Sequence, residues 1–188
     1  MQLLPFKGRR GKGLFFHYYQ TTPQPSPQQY RRLPPSREGG GRVLRMTLSE
    51  NFSLSEFTKS STAQRLGLDN TPSLAVIKAL THLCQHVLQP LRNWYGKPIT
   101  ISSGYRSPKV NKAVGGVSTS QHMKGEAADL HLPSLEIGRR WFNYIRYNLP
   151  FDQLIWEHDK NGTYWIHVSC KTDLRKNRHQ VINNLLKQ

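Results

Sequence analysis

Alternation of apolar and polar residues marks four short strands in the second half of the chain. AADLHL alternates over about 127–132 until Pro133 stops it, and QLIWEH does so over 153–158. TYWIHVS, at 163–169, is a β-branched and aromatic run, and a fourth strand is expected near 99–103. Between 71 and 96 the period becomes helical, with Leu74, Ile77, Leu80, Leu83, Val87 and Leu88 recurring at helical spacing. Thr71 and Pro72 are expected to open that helix, Pro90 to bend or interrupt it, and Gly96 to end it. Shorter helices are predicted at SLSEF, near 107–113 and over 134–147; RHQVINNLLK predicts a last one, marginal at that length unless docked. Helices segregated from a small antiparallel sheet define an α+β domain with its helices packed to one side.

Composition divides the chain near Met46. Residues 1–45 hold six of the twelve prolines, a GRRGKG run and a GGG run, a composition that argues against a packed core. This segment reads as a basic tail or an extension without a role, and Met46 as an alternative start. Residues 46–188 suffice for one two-layer domain. Each part carries about half of the net charge of +16. A basic surface suits anionic wall polymers and equally nucleic acid, but no helix-turn-helix, zinc-finger or ribonucleoprotein aromatic pattern supports the latter. Neither a signal-peptide core nor a membrane-spanning run is visible, and two cysteines, Cys84 and Cys170, are too few for a disulfide scaffold.

The candidate chemistry centres on SQHMKGEAAD at 120–129 and on His167 in the last alternating run. His122 and His167 offer imidazole nitrogens and Asp129 a carboxylate, a donor set suited to zinc with water at the fourth position. Zinc lowers the pKa of such a water to about 7, which supplies a nucleophile at neutral pH. Six residues separate His122 from Asp129, so one helix face cannot present both. A loop that turns at Gly125 into a strand bearing Asp129 can. Strand alternation places Trp165, His167 and Ser169 on one face. His131 reads as a plain strand residue, and the pair His82 and His86 lacks the glutamate and third ligand of a His-Glu-x-x-His site.

Ser-x-His-x-x-Gly-x-Ala-x-Asp, matched by Ser120, His122, Gly125, Ala127 and Asp129, resembles the signature of the M15 family of zinc D-Ala-D-Ala carboxypeptidases and endopeptidases. ITISSGYRSPKVN upstream and the pair QLIWE and WIHVS downstream resemble its compact phage and bacterial subgroup, so the likeness runs from about Phe52 to Ser169. It implies a hedgehog-like or DD-peptidase-like fold, a zinc cofactor and peptidoglycan stem peptides as substrate. Arg106 is then expected to hold a substrate carboxylate and polarise the scissile carbonyl, with Ser120 and Tyr105 as further substrate contacts. Without a visible signal peptide, such an enzyme would act on the wall after export or phage-mediated release, which favours a lysin.

Many family members carry an acid three positions before the last histidine, where this chain has Tyr164. Glu157 is the substitute general base. A three-residue loop, Lys160 to Gly162, sets Glu157 opposite Trp165 on the His167 face, whereas a two-residue loop turns it away. Two other readings stand beside the peptidase: a zinc-binding module without catalysis, which Tyr164 favours, and a basic nucleic-acid-binding protein, which the net charge favours.

Overall fold

The computed structural model describes residues 46–183; the tail at 1–45 and the last five residues lie outside it. A small hairpin, β1 (Thr47–Ser49) and β2 (Phe52–Ser53), leads into helices α1 (Leu54–Thr58), α2 (Ser61–Leu66) and α3 (Leu74–Leu83). A π-helical turn over Cys84–Leu88 joins α3 to α4 (Gln89–Tyr95). Then come β3 (Ile101–Ser103), α5 (Pro108–Ala113), a 3-10 turn over Gln121–Lys124, β4 (Ala127–His131) and α6 (Leu135–Asn148). β5 (Gln153–His158), β6 (Tyr164–Ser169) and β7 (Gln180–Asn183) complete a five-stranded sheet of order β3-β4-β6-β5-β7.

Local chemistry accounts for the helix ends. Asp69 accepts hydrogen bonds from both the backbone and the hydroxyl of Thr71, which holds that stretch in a turn. The long helix therefore starts later than the Thr71–Pro72 pair suggests, capped by Ser73. Pro90 can donate no hydrogen bond and its ring crowds the carbonyl four residues back. A widened turn precedes it, closed by Gln89 N–H to the Cys84 carbonyl, and the helix continues to Gly96 in the left-handed conformation.

The sheet has two chemically different faces. Ala128 and Leu130 of β4, Leu154 and Trp156 of β5, and Ile166 and Val168 of β6 are buried, in one core with Leu80, Leu83, Leu88, Trp141 and Ile145 of the helices. Their neighbours Ala127, Asp129, Ile155, His167 and Ser169 take the opposite face, because successive side chains alternate. The apolar positions thus fix which residues face the site.

The sheet is antiparallel except for β7, which runs parallel to β5. This corrects the expected last helix. An isolated helix of that length is poorly nucleated, whereas QVIN can pair with the open edge of β5. Arg178 clamps the start of the strand onto Asp152 with a hydrogen bond as short as 2.6 Å. The hairpin β1–β2 and helix α2 are also too short to register in the hydrophobic pattern.

Candidate metal centre

His122, Asp129 and His167 meet on the polar face of the sheet, all three buried. Antiparallel pairing puts Asp129 directly opposite His167, and the 3-10 turn carries His122 over them. Asp129 Oδ1 lies 2.9 Å from His167 Nδ1 and 3.3 Å from His122 Nε2. One donor atom from each residue lies within 4.8 Å of the other two.

Two glycines make that approach possible. Gly125 ends the turn at φ +71, and a Cβ there would stand 2.6 Å from the Val76 carbonyl oxygen. Gly104 lies against the backbone of Phe57, where a Cβ would come within 2.6 Å of two atoms. Its carbonyl oxygen is 2.7 Å from His122 Nδ1. Since a carbonyl only accepts, Nδ1 carries a proton, and Nε2 is the nitrogen turned towards Asp129. That is the orientation a metal ligand needs, with its second nitrogen anchored.

Arg106 completes the arrangement from the other side of Asp129. Its Nη2 donates to Asp129 Oδ2 at 2.8 Å and its Nε to Ser103 Oγ at 2.9 Å. The loop that bears it is tied down by Asn70, whose side chain bonds the Tyr105 carbonyl and the Ser107 N–H. Burial opposes ionisation of Asp129, yet the charges and hydrogen bonds of His122 and His167 hold its carboxyl well below the usual range. Two imidazole nitrogens around an ionised carboxylate fit a divalent ion of the zinc type once the protons they hold leave. Binding there would release the proton that His167 Nδ1 shares with Asp129.

A cleft of about 680 Å³ opens over the cluster, lined by Arg106, Ser120, Glu157 and Lys171 among others. Glu157 pairs with Trp165, and Asp159 N–H bonds the Thr163 carbonyl, so the loop has three residues and Glu157 shares the His167 face. Tyr164 lies on the other face, its ring beside His158. Asp159 spends one carboxylate oxygen on the N–H groups of Asn161 and Thr163. His131 is exposed and outside the cluster. Tyr105 is 7% exposed, belongs to the core, and borders a second cleft along β3 that Arg106 also lines.

The sequence reading missed Asp152. It is fully buried and accepts from Arg178 Nε and Nη2, the Arg178 N–H and Gln121 Nε2. Burial pushes its carboxyl up, but these bonds outweigh it and bring the pKa down to about 2. The unfolded carboxyl, near 3.9, binds its proton first as pH falls. Stability from this pair should therefore be present above about pH 4 and fade as pH drops towards about 2. Acid unfolding of the wild type and Arg178→Ala checks this. The two curves should lie apart near neutrality and converge at low pH, by a modest amount because the guanidinium is half exposed to solvent.

The three donors all fall within the stretch of the chain that resembles a known family. Residues 50–169 match the Peptidase M15 family, and the chain belongs to that family. Over 59 residues it is 46% identical to the zinc D-Ala-D-Ala carboxypeptidase of Streptomyces albus G. That stretch covers 31% of this chain and 23% of the relative, so the match spans about a quarter of the relative's length. No helix among the described residues is long and apolar enough to cross a membrane.

Arg106 bonds Asp129 and Ser103 at once, which makes it a candidate positioning residue for that carboxylate. Arg106→Lys keeps a charge but cannot span Ser103 and Asp129 together, so zinc affinity should fall roughly 10- to 100-fold. Competition with a chromophoric chelator measures this. Unchanged zinc affinity with a reduced kcat/KM would instead place Arg106 on the substrate.

Proposed function

We propose that this chain is a zinc-dependent peptidase that hydrolyses peptide bonds of bacterial peptidoglycan, and that His122, Asp129 and His167 hold the metal. The observation that carries the reading is the convergence of these three donors beneath an open cleft that Glu157 shares. Family membership and the carboxypeptidase relative support it.

When bound, zinc supplies Lewis acidity and lowers the pKa of water towards neutrality. Glu157 accepts the proton released by the attacking water and returns it to the departing amine. Arg106 keeps Asp129 in place, and its remaining Nη1 is free to meet substrate in the cleft, where Ser120 is a further contact. A phage or prophage lysin is the setting we favour, because a basic protein is steered to a wall rich in carboxylates and phosphates.

Incubation of the protein with purified peptidoglycan should release new amino and carboxyl groups. A chelator should stop the release and added zinc should restore it. Absence of turnover from protein that carries one zinc per chain would favour a binding module without catalysis.

A further inference from the structure

The cleft has a cationic end that the metal cluster does not use. Lys124, Lys171 and Arg178 line it together with Glu126. Lys171 Nζ lies 3.6 Å from Asp152 Oδ1, and Arg178 grips the same buried carboxylate with Nε and Nη2. Lys124 is exposed and makes no hydrogen bond or ion pair among the described residues. Both lysines attract Glu126, which places the three side chains in one neighbourhood. Asp152 is fully buried; Lys124 and Arg178 are exposed, Lys171 and Glu126 are partly so, and the Arg178 guanidinium is already taken up by Asp152. Arg106, the cation beside the cluster, already bonds Asp129.

Strand register gives the distance between the two ends. Lys171 follows His167 by four residues along β6 and just beyond it, where the Cys170 N–H still bonds the Glu126 carbonyl. At roughly 3.3 Å per residue, that is about 13 Å. An extended peptide on the cleft floor has a similar rise, and lysine side chains reach several ångströms towards it.

Resting on the peptidase reading above, we propose that Lys124 and Lys171 bind an internal carboxylate of the substrate, two to four residues from the bond held at the metal cluster. A terminal carboxylate one residue from that bond falls short of them. The site is therefore built for an acidic peptide cut at a distance from its acid, and the free C-terminus contributes little to recognition.

Three synthetic pentapeptides ending in D-Ala-D-Ala test this on the zinc-loaded full chain. One carries an internal glutamate, the second has that glutamate amidated, and the third has its C-terminus amidated. KM is read where a peptide is cleaved and Kd by calorimetry where it is not. Amidating the internal acid should weaken KM or Kd about tenfold, as two lysine contacts at a solvated cleft supply, and amidating the terminus no more than about twofold. The double variant Lys124→Ala with Lys171→Ala should erase the tenfold difference with zinc content unchanged. Should that protein fail to fold, Lys124→Ala alone, on an exposed side chain, should shrink the difference about threefold. An internal amide that binds as well as the acid, a larger effect of the terminal amide, or a difference that survives in the variants overturns the proposal. Acid-dependent binding without any cleavage would uphold this site and remove the hydrolytic reading on which it rests.

Discussion

Glu157→Gln is expected to lower kcat on wall peptides by about 100- to 10,000-fold while zinc stays bound, the range associated with losing a positioned acid–base group. Glu157 stands opposite Trp165, so His167 is its diagonal neighbour on the same face, with backbones roughly 7–8 Å apart. A glutamate side chain closes most of that distance; a glutamine has the same shape but accepts no proton. Its titratable neighbours along the chain are otherwise placed. His158 alternates onto the opposite face, and Asp159 is bound to the turn. Glu126 is the other carboxylate that lines the cleft beside the cluster, and burial raises its pKa. Full turnover by the glutamine variant would sink the role of Glu157 and pass it to Glu126.

Asp129, Glu157 and His167 were legible because they sit on strands with strong alternation, and His122 because a turn at Gly125 leads from it into one of them. Once one face of β4, β5 and β6 is apolar, the positions of Asp129, Glu157 and His167 on the other follow. The loop length that decides the face of Glu157 was readable from Gly162, whose φ of +79 suits a bulged three-residue turn. What the pattern did not reveal are contacts between residues far apart in sequence. Nothing local to Gly104 announces that its carbonyl will hold the ring of His122, 18 residues away. Arg106 was visible as a cation, but its bond to Asp129 depends on how the β3–α5 loop is pinned by Asn70. The fate of the C-terminal segment was likewise decided elsewhere, by the open edge of β5 and the buried carboxylate of Asp152.

Asp129→Asn should abolish zinc-dependent behaviour altogether, and thermal unfolding gives a measure that needs no substrate. A ligand that binds only the folded state at 100 times its Kd stabilises by about 2.7 kcal/mol, which for a domain of this size raises Tm by about 10 °C. The wild type should show that rise on addition of zinc. In the variant the asparagine oxygen carries no charge, Arg106 loses its partner, and the two imidazoles have no anion between them. Zinc affinity should fall by more than about 100-fold and the rise should vanish. Without metal the variant should still melt below the wild type, because the partners of Asp129 outweigh its burial and lose its charge, but by less than when zinc is present. A zinc-induced rise of similar size in Asp129→Asn would exclude this carboxylate as a ligand and leave the two histidines without their third donor.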